Sequence, residues 1–394
     1  MYERLRSALA AAADDQIIFD LPGIEDQYDA LVRELPGVAV RFAMKACAVD
    51  EVLACLARRG AGVDAASPNE IEQALLAGVP VTQIHYGNTV KSDLNIAAAY
   101  RLGVRDFATD SVEDVWAIAA LAPGARVFCR VATSGDGALW RLSDKFGCSG
   151  ADAVVVLTAA RDAGLVPSGL SVHVGSQQMT AAAWRTAFED LGAVLAALRE
   201  RGIAVDHVNL GGGLPAAGCL DRSGRPLTAP MDEIFGAIRA GTRRLRDAAG
   251  GNLGFLIEPG RHLVADHGAI RAHVARLTRR ELRSGERQHW LYLSCGKFNG
   301  LYETDQLGYR LEFPSHRGGA LVAAVVAGPT CDSDDTFGSE HRVLVPGAVR
   351  SGDPVWVLSC GAYATSYLTQ GFNGFDPLPY TTVRGELAAA GATP

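Results

Sequence analysis

The chain has 394 residues, 48% of them apolar and 21% charged, enough to bury a large core and to divide into two domains. Its net charge of −7 is spread without long like-charged blocks, which argues against nucleic acid as a partner, because phosphate binding needs clustered Lys and Arg. No run of about 18 apolar residues suggests a membrane span, Met1–Asp15 lack the apolar core of a signal peptide, and eight scattered cysteines without a CxxC pair or metal-ligand spacing fit a reducing cytoplasm and no metal.

In chain order, Gln16–Leu21 (QIIFDL) reads as a strand that precedes the main alternation. From about Val38 to Glu258, short β-branched or apolar runs alternate with longer Ala/Leu-rich stretches, the rhythm of parallel βα units. The expected strands are Val38–Met44, Ile84–Tyr86, Asp106–Thr109, Val127–Val131, Leu170–Val174, Val208–Leu210 and Phe255–Ile257. Between them lie the expected helices Pro68–Ala77, Val112–Ala120, Ala151–Ala163, Ala181–Arg201 and Met231–Ala248. Seven or eight such units suit a closed (β/α)₈ barrel; an open doubly wound sheet gives the same local signal.

After about Ala265 the rhythm changes to strands without regular helices: Ile270–Leu277, Trp290–Ser294, Leu321–Ala327, Arg342–Val345 and Val355–Leu358. The expected fold class is therefore α/β, with residues 1–22 lending a strand to a C-terminal all-β domain (265–394, a β-sandwich or barrel) and 23–264 forming the barrel. A disordered tail is confined to the last ten residues.

Several residues could carry chemistry. Lys45 ends the apolar run FAMK, so in a barrel it would stand at a strand's C-terminal end, where active sites form; the plain alternative is a lysine leaving the sheet for solvent. Gly211, Gly212 and Gly213 follow the strand VNL, where residues without side chains let backbone N–H groups converge on an anion. Neither GxGxxG nor a P-loop is present, which lowers the case for a dinucleotide or ATP. Glu258, Gly260 and Arg261 lie in EPGR after the strand FLI, an acid and a phosphate-suited guanidinium that could equally be a structural ion pair. His173 and Ser176 follow LSV, as a flat wall and a hydroxyl donor or as ordinary core groups. Cys331 sits in GPTCDSDDTF with Asp332, Asp334 and Asp335, a loop that is either a solvated acidic turn or a recogniser of an ammonium group.

Together these segments resemble the alanine-racemase-fold (fold type III) pyridoxal-phosphate decarboxylases of ornithine, lysine, arginine and diaminopimelate. The resemblance spans nearly the whole chain in order: FAMKA at Lys45, GAGVDAASPNEI at Gly62–Ile71, HYGNTVKS at His85–Ser92, RLSDKFG at Arg141–Gly147, HVGSQ at His173–Gln177, LGGGLP at Leu210–Pro215, EPGR at Glu258–Arg261, GPTCDS at Gly328–Ser333, and GAY…FNGF ending at Phe375. The stretch GKFNGLYET (Gly296–Thr304) and the loop sequence CDS point within that group to the bacterial ornithine/lysine branch.

The resemblance implies roles residue by residue. Lys45 would carry pyridoxal 5'-phosphate (PLP), Glu258 would hold the ring nitrogen in its charged form, and His173 would stack on the ring. The phosphate would be anchored by Ser176, Gly211–Gly213, Gly260, Arg261 and Tyr363, with Asp64 and Arg141 close to the lysine and the ring's edge. Cys331 would return a proton to Cα, and Asp332, with Glu303 and Phe372, would receive the distal end of the substrate. Relatives contribute the cysteine loop from the partner subunit, so a homodimer with shared sites is implied. The expected reaction is decarboxylation of L-ornithine or L-lysine to putrescine or cadaverine.

Several positions depart from the relatives' pattern: Asn209 stands where Asp is common, Met44 replaces Val, Asp334 is an extra acid, and Asp335 and Thr336 take the place of more apolar residues. The acidic loop leaves open a modified or carrier-bound amino acid as substrate. Racemisation is disfavoured because Glu258, and not an arginine, stands at the ring nitrogen. A non-catalytic binding homologue of the antizyme-inhibitor kind would be expected to have lost Lys45, Glu258, Arg261 or Cys331, all of which are present.

Overall fold

The computed structural model describes residues 3–141, 144–337 and 342–385. Leu142 and Ser143 of the RLSDKFG stretch, and nine of the last ten residues, lie outside them. Contacts divide the chain into two units: one gathers residues up to Asp26, Ala216–Thr228 and the chain from Arg261 onward, and the other holds Gln27–Pro215 and Ala229–Gly260.

The second unit is a closed barrel of eight parallel strands: Val38–Ala43, Gly62–Ala65, Ile84–Tyr86, Asp106–Thr109, Arg126–Arg130, Val166–Ser171, His207–Asn209 and Gly254–Ile257. Phe255 to Ile257 pair with Val38 to Val40 and close the ring, which decides the choice between barrel and open sheet. The eighth strand, Gly62–Ala65, is absent from the propensity reading because GVDA is short and carries a glycine and an acid; all four residues are buried. The strand expected at Leu170–Val174 begins earlier, at Val166, and ends at Ser171, so His173 falls on the following loop.

Serines start four of the barrel helices. The hydroxyls of Ser67, Ser92, Ser111 and Ser149 accept from the amides of Glu70, Asn95, Asp114 and Asp152 at 3.1–3.3 Å, satisfying first-turn N–H groups that would otherwise lack partners. Each such start follows a barrel strand or its loop, so the turn to the helix is set at the end of the barrel where the strands terminate.

The first unit is an eight-stranded sheet built around the 14-residue strand Gly268–Glu281, which pairs with Gln16–Asp20, Pro354–Leu358 and Arg287–Leu293. Gln16–Asp20 also runs parallel to Tyr380–Val383, so the N-terminal strand joins the β unit. Its core includes Leu5, Leu9, Ile18, Ala269, Trp356 and Leu358. The segment Ala216–Thr228 belongs to this unit although it lies between two barrel strands in sequence; Leu220 exchanges backbone hydrogen bonds with Gly308. Among the described residues no helix is long and apolar enough to cross a membrane.

Candidate active site

In the barrel unit, Lys45 occupies a single 3₁₀ turn, Met44–Ala46, directly after the strand Val38–Ala43. Its neighbours Met44 and Ala46 are buried while its own side chain is half exposed, so the turn projects the amine from the strand end. Lys45 Nζ stands 3.6 Å from Asp64 Oδ2, and Asp64 is carried on the neighbouring strand Gly62–Ala65. Burial opposes ionisation of Asp64, but Lys45 and His85 outweigh it and hold the carboxyl well below the usual range.

Glu258 follows the strand Gly254–Ile257. Its Oε1 accepts from Asn209 Nδ2 at 2.5 Å and lies 2.7 Å from His85 Nε2. The glycine run wraps the same region. Gly211 and Gly213 have φ of +64° and +108°, conformations that L side chains rarely adopt, and a Cβ at Gly212 would press on the Glu258 carbonyl and the His173 ring. Gly211 N donates to Asn209 Oδ1, and Glu258 N donates to Gly211 O, so the asparagine ties the glycines to the carboxylate.

His173 accepts from Gly175 N at its Nδ1 (3.1 Å), and its carbonyl accepts from Thr133 Oγ1 (2.6 Å). Desolvation, with the nearby cations of Arg130 and Lys45, pushes the imidazole down to about 3. A neutral ring results, which suits a flat packing wall better than an acid–base role.

In the sheet unit, Arg261 is buried and grips Glu303 with both terminal nitrogens at 2.6 Å, while its Nε has no partner. Its guanidinium lies 4.9 Å from the Tyr363 ring, and Tyr363 holds a positive φ of 64°.

The acidic loop around Cys331 is assembled from three stretches of sequence. Asp335, 2% exposed, accepts from Lys297 N (2.7 Å), Thr330 N (3.0 Å) and Thr330 Oγ1 (2.7 Å). The buried Lys297 Nζ meets Asp305 and Asp334, each at 2.5 Å. Cys331 N donates to Asn373 Oδ1 at 2.9 Å, and Phe298 and Phe372 pack with centroids 4.9 Å apart. Cys331 and Asp332 are left exposed.

The barrel unit brings together Lys45, Asp64, His173, Glu258 and Gly211–Gly213, with Gly260 packed so closely on Ala43 and Ala46 that a side chain would crowd them. Two of the expected residues have other partners in this structure. Arg141 is exposed and pairs with Asp136 at 2.8 Å, because its loop turns the guanidinium to solvent; the arginine whose charge reaches Glu258, Asp64 and His173 is the half-buried Arg130. Glu303 is spent on Arg261 inside the sheet unit, so its carboxylate is not open for a substrate amine. Sequence reasoning missed Arg130, His85, Lys297 and Asn373. The last three stand inside the motifs HYGN, GKFNG and FNGF, whose local sequence does not reveal their long-range partners.

The barrel unit's own residues fit PLP on two counts: a side-chain-free cradle with two positive-φ glycines, and a carboxylate with one oxygen filled and the other without a partner among the described residues. Residues 21–265 match the family described as pyridoxal-dependent decarboxylase, pyridoxal binding domain. The chain belongs to the pyridoxal-dependent decarboxylases. This PLP decarboxylase is 31% identical over 368 residues to the lysine/ornithine decarboxylase of Selenomonas ruminantium, covering 92% of this chain and 88% of that one. The solved lysine/ornithine decarboxylase of Vibrio vulnificus with putrescine superposes with a TM-score of 0.82 at 27% identity, over 96% of both chains. The complex of SrLDC with PLP and cadaverine gives 0.84 at 28% identity, over 97% and 94%.

Proposed function

We propose that this PLP decarboxylase removes the α-carboxylate of a basic diamino acid, L-ornithine or L-lysine, releasing CO₂ and putrescine or cadaverine. The observation that carries the reading is the convergence, at the ends of adjacent barrel strands, of Lys45, its partner Asp64 and the oriented carboxylate Glu258. When bound, PLP supplies a sink for the electron pair left at Cα as CO₂ departs. Lys45 would hold the cofactor, Glu258 would accept from its ring N–H, His173 would wall the ring, and Ser176, Gly211–Gly213 and Gly260 would receive the phosphate, with Arg261 and Tyr363 assigned to it by the family resemblance. Cys331 Sγ donates the proton that Cα takes up, and Asp332 pairs with the distal ammonium beside Phe372.

The preference for a free diamino acid follows from the loop. Asp334 and Asp335, the acids that raised the case for a modified or carrier-bound substrate, are engaged by Lys297 and by the loop's own donors. That leaves Asp332, beside Cys331 and accepting from Asp334 N, as the loop's exposed carboxylate without an ion-pair partner among the described residues, one negative charge for one ammonium. Ornithine and lysine differ by one methylene, a difference worth only about 1–3 kcal/mol in a pocket, so a single loop accommodates both.

The working form is a homodimer in the cytoplasm, with Cys331 and Asp332 offered to the partner subunit's Lys45 site. Mixing K45A and C331A proteins, each inactive alone, restores roughly a quarter of wild-type activity, because half the dimers then hold one intact site. The primary test is CO₂ and amine release from PLP-loaded protein offered L-ornithine, L-lysine, L-arginine, meso-diaminopimelate and D-ornithine, with Lys45→Ala as the blank. Putrescine or cadaverine formation supports the reading; a yellow protein inert on all five overturns the substrate assignment.

A further inference from the structure

His85 has no part in the roles assigned above, yet it stands at their centre. It lies on the barrel strand Ile84–Tyr86, 1% exposed, with Phe128 packed 5.1 Å from its ring. Its Nε2 faces two carboxylate oxygens at once, Glu258 Oε1 at 2.7 Å and Asp64 Oδ1 at 3.2 Å. A ring nitrogen between two acceptors must carry hydrogen, which fixes the tautomer of the neutral ring.

The consequences fall on both carboxylates. Glu258 Oε1 accepts from Asn209 on one side and His85 on the other, while Oε2 has no partner among the described residues. Asp64 is spanned in the same way, with Oδ1 toward His85 and Oδ2 toward Lys45. The imidazole therefore links the carboxylate beside the lysine to the carboxylate of the cofactor ring. An ordinary core histidine needs only one partner for each polar nitrogen, and nothing in packing alone calls for one nitrogen to reach the carboxylates of two separate strands.

We propose that His85 is a positioning residue that fixes Glu258 through Oε1, so that Oε2 is the oxygen offered to the ring nitrogen of bound PLP, and that it couples this carboxylate to Asp64 and Lys45. The proposal rests on the cofactor reading above. The charged groups facing His85 are Glu258 and Asp64 from their strands and Arg41 from Val38–Ala43. Burial and Arg41 oppose its protonation, but the two carboxylates prevail and raise it above the usual histidine value. The imidazolium consequently persists to higher pH than in a free histidine and offsets one of the two buried negative charges.

The test compares wild type, H85L and H85Q as apoproteins titrated with PLP, followed by visible absorption and intrinsic fluorescence, then as holoproteins scanned from pH 6 to 9. H85L, lacking a donor, should bind PLP at least about tenfold more weakly, the loss expected for one charge-assisted hydrogen bond. H85Q keeps an N–H donor but cannot take up a proton, so it should recover most of the affinity while flattening the pH dependence of the absorption band. The proposal is overturned if H85L binds PLP as wild type does with the same pH profile. Should circular dichroism show H85L unfolded, H85Q decides alone, and a profile that overlays the wild type's overturns the idea. Wild-type protein that fails to bind PLP at all, or K45A that develops the same lysine-linked absorption band, would instead sink the cofactor reading itself.

Discussion

Arg261 and Glu303 form a bidentate ion pair inside the sheet unit, both nitrogen–oxygen distances 2.6 Å and both side chains buried. Burial works against the guanidinium, but Glu303 more than compensates, so the arginine is held firmly charged. This pair holds the arginine assigned to phosphate as a fixed cation with its Nε left without a partner.

Glu303→Gln should therefore leave a buried guanidinium without its counter-charge and destabilise the apoprotein by about 3–5 kcal/mol. Because the cofactor's phosphate would replace the lost carboxylate, the gain in Tm on adding PLP should be larger in the variant than in wild type. Thermal unfolding with and without PLP reads both effects; equal gains would show that Arg261 does not meet the phosphate.

Asp332 and Asp335, three residues apart, should behave in opposite ways. Asp335→Ala strands three donors at a buried position, and each unmet group costs about 1–3 kcal/mol, so Tm should drop clearly. Asp332→Ala should leave Tm within about a degree, as expected of an exposed surface position, and instead raise KM for ornithine and lysine. Steady-state kinetics beside melting curves separate the two, and a normal KM in D332A would remove Asp332 from substrate recognition.

Acid should loosen the fold through two histidines held in neutral form. His173 is pushed down to about 3 and His267 to about 4, both chiefly by desolvation, against about 6.5 for an unfolded histidine. The unfolded chain binds more protons than the native one between those values, so the stability they contribute is full above about pH 6.5 and falls as pH drops through the window toward 4 and then 3. His173→Phe keeps a flat ring without a proton site, so its Tm should decline less between pH 7 and pH 5 than that of wild type. Parallel curves would mean that His173 does not titrate in the way its surroundings dictate.

Arg130, and not Arg141, should matter for the cofactor site. Arg130 is half-buried, packs 5.3 Å from the Phe146 ring and bears on Glu258 and Asp64, whereas Arg141 shares an exposed pair with Asp136. Arg130→Met should weaken PLP binding about tenfold or more, and Arg141→Met by less than about fivefold, since an exposed ion pair is worth at most about 1 kcal/mol. Fluorescence titration of both apoproteins with PLP checks the order.

By itself, the sequence determined the alternation of strand and helix, the change to an all-β region near residue 265, and the glycine, lysine and EPGR motifs, because these depend on local patterning and on residue types that chemistry cannot replace. The helix Met231–Ala248 and the strand Leu321–Ala327 have the bounds that their patterns indicate. Tertiary structure decided what local pattern does not encode. Closure of the barrel depends on Phe255–Ile257 finding Val38–Val40 more than 200 residues away, and the short strand GVDA exists because both its neighbours are already in place. Side-chain partnership is equally non-local: nothing within HYGN announces that His85 will face Glu258, and nothing in GKFNG announces that Lys297 will take up Asp334. Motifs name the residues that chemistry requires, while burial and long-range pairing select which carboxylate is spent on structure and which is left to meet a substrate.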